Sequence, residues 1–157
     1  MPKSEAWQRN PESYPFSTVT ETRFQDLDPL GHINNVAMAA LFENGRVRFN
    51  RNLGLERRQP GERWLIASVA IDYVAEAHFP DPVEVMSGIL RIGTSSWDIC
   101  SAAFQNGVCV ATCVTTLVLT DANGSKPIPA ALRSCYEALL VKRGYGAPPA
   151  AQARLTV

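Results

Sequence analysis

One long helix-periodic stretch, from Asn34 or Asn35 to about Leu53, stands alone among runs that read as strands. Val36, Ala40, Leu41, Phe42, Val47 and Phe49 supply its apolar stripe at helical spacing. Asparagine is a favoured N-cap, and Gly54 is a natural stop. Before it, Phe16–Gln25 is rich in β-branched and aromatic residues and reads as a first strand. After it come four further strand-like runs: Trp64–Val74, Pro82–Ile92, Thr94–Gln105 and Gly107–Asp121. In the first of these, Leu65, Ala67, Val69, Ile71 and Tyr73 share one face. Asn106-Gly107 is a strong hairpin signal, and Pro129 opens a short amphipathic helix to about Arg143 with Leu132, Tyr136, Leu139 and Leu140 inward. A single helix cannot bury its stripe alone, and an antiparallel sheet wrapped around it is the economical solution. The predicted class is therefore α+β: a five-stranded antiparallel sheet around one long central helix, plus a short C-terminal helix.

Gly45 lies inside the long helix, where it costs roughly 1 kcal/mol relative to Ala. Its missing side chain would let the helix approach a sheet or a ligand closely. The predicted sheet has edge strands with unpaired backbone groups. Pairing edges between copies satisfies them, so a homodimer or homotetramer is expected. The 157 residues suit one domain. Residues 16–143 would form it, with 1–15 a flexible arm and 144–157 an Ala/Pro-rich disordered tail.

Fifteen Lys and Arg balance fifteen Asp and Glu, which argues against a nucleic-acid partner. No apolar run approaches the ~20 residues of a membrane span, and residues 1–10 lack the apolar core of a secretory signal. Cys100, Cys109, Cys113 and Cys135 have no zinc-type spacing and no metal is expected. They read as buried thiols of a reducing cytoplasm, with a disulfide as the alternative. Cys109 and Cys113 would share one face of a regular strand.

The chemistry-bearing segment is Arg23-Phe24-Gln25-Asp26-Leu27-Asp28-Pro29-Leu30-Gly31-His32-Ile33-Asn34-Asn35, where a strand hands over to the helix. Asp28-Pro29-Leu30-Gly31 is a turn signal. A carboxylate opposite the free N–H groups of a helix start is suited to attack on a carbonyl. Asp28 is the candidate, although it could equally fix the turn by bonding its own backbone. Asp26 is expected on the other side of the strand. His32 could orient Asp28 or a water, or simply pack the loop. Asn34 and Asn35 are better helix caps than side-chain donors. Glu43 lies three residues before Arg46, at ion-pair spacing.

The chain resembles the hot-dog fold, and within it the 4-hydroxybenzoyl-CoA thioesterase family of acyl-CoA thioesterases. The resemblance spans about Thr18 to Tyr136 and is strongest over Arg23–Asn35, with Phe42-Glu43, Arg46, Ile71-Asp72-Tyr73, Ile92–Ser96 and Lys126–Pro129 following in the family's order. It implies hydrolysis of an acyl-CoA to a carboxylic acid and CoA. Asp28 would be the general base or nucleophile, and the backbone N–H groups of Asn35 and Val36 would polarise the carbonyl. Some relatives use a helix glutamate, which makes Glu43 a weaker catalytic candidate. No cofactor is implied beyond CoA as part of the substrate. Gly31, Asn34 and Met38 would contact substrate near the helix start, and Arg91 with Ser95 and Ser96 would meet the carrier. Arg57, Arg58 and Arg63 are further cations for its phosphates, diluted by Glu56 and Glu62. Many relatives carry tyrosine where this chain has Met38, which suggests an aliphatic, roomier pocket unless Met38 only fills core space. Glu76 stands where proline is common, and Phe79-Pro80-Asp81-Pro82 where a Gly-Asp pair is usual. The alternative functions are a non-catalytic acyl-CoA-binding or assembly module and an acyl-carrier-protein thioesterase.

Overall fold

The computed structural model describes residues 4–146. Five strands, β1 (Phe16–Thr20), β2 (Arg63–Tyr73), β3 (Val83–Ile92), β4 (Ser96–Gln105) and β5 (Val108–Asp121), form one antiparallel sheet. Their spatial order is β1-β3-β4-β5-β2, so β1 and β2 are the edges. A two-residue strand, β6 (Gly124–Ser125), extends the ladder at the end of β5. Helix α1 spans Asn35–Leu53 and helix α2 spans Ala130–Glu137. The expected architecture is present: one long helix against a curled antiparallel sheet, with a short second helix.

The inner face of α1 is rotated from the expected stripe. Ala37, Met38, Leu41, Phe42, Gly45, Phe49 and Leu53 are buried, while Val36, Ala40 and Val47 face outward. Close approach decides the rotation. A Cβ on Gly45 would stand 2.6 Å from Cγ1 of Val85, a fully buried β3 residue. The helix therefore turns its glycine toward the sheet, and the four-residue repeat 37–41–45–49–53 becomes the buried row. Full burial of Phe42 and Phe49 contributes roughly 1.5–3 kcal/mol each.

Four further expectations are corrected. The first strand stops at Thr20 because Asp26 draws the chain into a 3-10 turn over Phe24–Asp26. There the Arg23 N–H donates to Asp26 Oδ2 at 3.0 Å, and its guanidinium donates to Oδ1 at 2.8 Å. The last helix ends at Glu137, and the following residues leave it for the sheet edge. Pairing of β1 with β3 ends at Ser87, so the Ile89 backbone groups need other partners. The Ile89 N–H donates to Leu139 O at 2.8 Å and the Val141 N–H to Ile89 O at 2.9 Å, leaving Leu140 exposed.

The N-terminal arm is packed from residue 4 onward. It forms 3-10 turns over Ala6–Arg9 and Pro11–Ser13. Trp7 and Tyr14 bury against Cys100, Ala102 and Phe104, the β4 side chains that alternate with the α1-facing Ile99 and Ala103. The arm thus covers the sheet face opposite α1. Finally, Cys109 and Cys113 belong to different clusters, because a register shift near Ala103/Phe104 interrupts the alternation between them. All four cysteines are free thiols. The tail expected over 144–157 falls outside the described residues from 147 onward.

Candidate active site

The segment between β1 and α1 folds as a closed turn. Leu27 and Ile33 form an antiparallel bridge. Inside it the Asp28 N–H donates to His32 O at 2.8 Å and the Gly31 N–H to Asp28 O at 3.0 Å. Gly31 has φ 82°, the left-handed region that glycine enters without steric cost. The Ile33 N–H donates to Ala77 O and the Asn34 N–H to Asp26 O, both at 2.8 Å. These bonds hold the returning limb and aim it into the helix.

Asp28 divides its carboxylate between two environments. Oδ1 accepts from the Leu30 N–H at 2.9 Å and the His32 N–H at 3.1 Å. Oδ2 has no hydrogen-bond partner among the described residues. One oxygen fixes the turn and the other is free of protein partners among the described residues. At the helix start, Asn34 Oδ1 accepts from the Ala37 N–H at 2.8 Å. Asn34 is therefore a cap, and its side-chain oxygen is taken up rather than offered to a substrate. The N–H groups of Asn35 and Val36 have no intrahelical acceptor and carry the positive end of the helix dipole. Val36 is 74% exposed. From β2, the Tyr73 hydroxyl donates to Asn35 O at 3.4 Å.

The remaining candidates separate. His32 reaches Asp28 only through its backbone. Its Nε2 lies 3.1 Å from Glu76 Oε2, and its ring stands edge-on to His78 at 5.3 Å. Asp26 is buried against Arg23. Burial raises its carboxyl pKa, but the Arg23 hydrogen bonds and charge outweigh this and hold it below the usual carboxylate range. Glu43 is 3.8 Å from Arg46 and largely exposed, which matches the ion-pair reading. Met38 is 3% exposed within the α1–sheet core, so the residue expected to shape an acyl pocket is a packed core side chain in this chain.

The expected carrier contacts lie elsewhere. Arg91 donates to Asp98 at 2.7 and 3.1 Å and to Ser96 Oγ at 3.2 Å, so its guanidinium is already engaged. Burial raises the Asp98 pKa, but bonds from Arg91 and Thr116 hold it below its ordinary range. Val83 pairs with Thr20 at the Asp28 end of the sheet. Arg91 lies near the other end of β3, about 26 Å along the strand at the usual rise per residue. Ser95 and Ser96 share that distant turn, where the Gly93 N–H donates to Ser96 O and the Leu119 N–H to Ser95 O.

Sequence reasoning missed the support of the loop that the Asp28 turn packs against. Gln105 is buried and clamps the loop before β3, accepting from the His78 N–H at 2.8 Å and donating to His78 O and Asp81 O at 2.7 and 2.9 Å. Nothing local marks it, since its partners lie far along the chain. Among the described residues no group of three or more His, Cys, Asp or Glu is placed to hold a metal ion. None of their helices is long and apolar enough to cross a membrane.

A sequence model described as the thioesterase-like superfamily matches residues 22–135. Among solved structures, one from Pseudomonas aeruginosa strain PAO1 is 28% identical with a TM-score of 0.76, covering 85% of this chain and 98% of that one. A predicted thioesterase from Bacillus stearothermophilus is 29% identical with a TM-score of 0.72, over 85% and 98% of the two chains. A thioesterase from Thermus thermophilus, complexed with coenzyme A and Zn, is 28% identical with a TM-score of 0.71, over 81% and 95%. A search of curated proteins finds no match.

Proposed function

The chain belongs to the thioesterase-like superfamily, and on that premise we propose that it hydrolyses an acyl-CoA to a free carboxylic acid and CoA. The observation that carries the reading is the Asp28 turn. It joins a carboxylate with one oxygen unpartnered among the described residues to a helix start whose first two N–H groups have no intrahelical acceptor. Asp28 either takes a proton from an attacking water or adds to the carbonyl carbon itself. In the second route the thiolate leaves, and water opens the resulting mixed anhydride. In both routes the Asn35 and Val36 N–H groups donate to the carbonyl oxygen as negative charge develops there. Donors of this kind are worth about 3 kcal/mol each in known enzymes. CoA as carrier is supported by the 28%-identical relative from Thermus thermophilus, which is complexed with it.

The functional unit is a homodimer built along β2. This edge strand exposes Leu65, Ile66, Val69 and Tyr73, while the outward row of α1 exposes Val36 and Val47. An edge with unpaired backbone groups and apolar side chains is a template for a second strand. Antiparallel pairing centred on Ser68 would set Arg63 of each copy beside Tyr73 of the other. Cations for the carrier phosphates would then reach the Asp28 end from across the dimer. Val69→Lys is expected to convert a two-chain particle into a single chain in light-scattering measurements. A wild-type protein with the mass of one chain, or a Val69→Lys variant that stays paired, would remove this part of the reading.

The carrier is tested by thiol release from matched acyl-CoA and acyl-carrier-protein substrates bearing the same acyl group. Faster turnover of the CoA ester is expected. Turnover confined to the carrier protein would reassign the carrier.

A further inference from the structure

The tip of the Asp28 turn has little packing to hold it. Pro29, Leu30 and Gly31 are exposed, Leu30 at 79%. The turn is therefore placed by its two limbs. On the outgoing limb Asp26 is buried against Arg23. On the returning limb the anchors are His32 and Ile33, and one segment holds both: residues 74–82, which join β2 to β3.

Contacts at three levels make this segment a frame for the carboxylate. Glu76 and Ala77 grip consecutive residues of the returning limb. Glu76 Oε2 lies 3.1 Å from His32 Nε2, and Ala77 O accepts from the Ile33 N–H at 2.8 Å. His32 in turn is bonded to Asp28 twice through its backbone. Its N–H donates to Asp28 Oδ1 at 3.1 Å, and its carbonyl accepts from the Asp28 N–H at 2.8 Å. A shift of the imidazole thus shifts a donor that orients the carboxylate. The segment is itself fixed to β4, where Gln105 bonds it at His78 and Asp81. The His78 ring stands edge-on to His32 on another side, with centroids 5.3 Å apart.

Glu76 has no comparable part in the fold. Its side chain is 64% exposed and makes no other ion pair among the described residues. An exposed pair of this kind adds little to stability. Orientation has larger consequences, since about 1 Å of misplacement can cost roughly 10²-fold in rate.

We propose that Glu76 is a positioning residue for the reaction. By holding the His32 imidazole it fixes the His32 N–H, and with it the orientation of the Asp28 carboxylate. The inference rests on the reading of Asp28 as the reacting group. It gives the His32 side chain a role that needs no contact with substrate.

The test is a double-mutant cycle on thiol release, joined to amide hydrogen exchange of the same full-length proteins without substrate. Glu76→Ala is expected to lower kcat about tenfold, with KM within about twofold, the signature of orientation rather than substrate binding. His32→Ala should act alike, and the double variant should be no slower than the slower single one. The Leu30 and His32 amides, which donate to Asp28 Oδ1, should exchange about fivefold faster in Glu76→Ala. The amide of buried Ile99 in β4 should be unchanged, which separates a loosened turn from a weakened fold. Wild-type kcat in Glu76→Ala overturns the proposal, as does a loss that is confined to KM or that persists in full in the His32→Ala background. Unchanged exchange at Leu30 and His32 overturns it as well, and this readout holds even for a protein that releases no thiol. The Asp28→Asn variant keeps the two readings apart. Loss of turnover there with wild-type kcat in Glu76→Ala sinks this inference alone, whereas turnover retained in Asp28→Asn removes the reading of Asp28 on which it rests.

Discussion

Asp28→Asn is expected to lower kcat/KM for an acyl-CoA by about 10²–10⁴-fold, the range for losing a positioned proton acceptor, with little change in the urea midpoint. The separation of the two effects follows from the geometry. Asn keeps a carbonyl oxygen that can accept from the Leu30 and His32 N–H groups, as Oδ1 does now. The turn therefore survives, and Gly31 keeps its left-handed conformation. What Asn lacks is the anionic oxygen that, in the proposed reaction, deprotonates water or attacks carbon. Asp28→Ala is expected to lose the activity and the two turn bonds together, at a further cost of roughly 1–2 kcal/mol in stability. Steady-state thiol release and urea unfolding of both variants check this. Near-wild-type turnover in Asp28→Asn would return Asp28 to a turn-fixing role alone.

Phe49→Ala is expected to cost about 3–5 kcal/mol, a large part of the stability of a domain this size. Phe49 is fully buried on α1 and meets Phe16 of β1 with ring centroids 5.3 Å apart. Removing it leaves a cavity between the central helix and the edge of the sheet, in a region the backbone cannot easily close. Arg48→Ala, one residue earlier on the exposed face, should stay within about 0.5 kcal/mol. Urea midpoints of the two variants compare the faces directly. Equal effects would contradict the placement of α1 given by Gly45 and Val85.

Particular residues show how much of the fold is legible in the sequence. The order of strands and helices was readable because strong signals bound each element: Asn34 and Gly54 for α1, and Asn106-Gly107 for the β4–β5 hairpin. The rotation of α1 was less so. The stripe drawn through Val36, Ala40 and Val47 weighed apolarity, whereas the close approach at Gly45 decided the buried face. The arm around Trp7, the 139–141 segment on β3 and the split of Cys109 from Cys113 were not legible. Each depends on which backbone groups a neighbouring element leaves unpaired, or on a bulge with no local marker.

The candidate site divides in the same way. The Asp28 turn and the Asn34 cap are local, and both are built from residues within one motif. The pairing of His32 with Glu76, the core position of Met38 and the engagement of Arg91 by Asp98 are tertiary. Each is fixed by a neighbour distant in sequence, which no local signal announces. Glu76 had stood out only as a departure from a common proline, and its contact with His32 gives that departure a physical content.

The central claim is that this turn and helix start hydrolyse a thioester. Free-thiol release by the wild-type protein across short, long and aromatic acyl-CoAs tests it most directly. Sustained release with at least one acyl class is expected, together with release of the matching free acid. Binding of acyl-CoA without thiol release from any of them would contradict the claim and leave a non-catalytic acyl-CoA-binding module in its place.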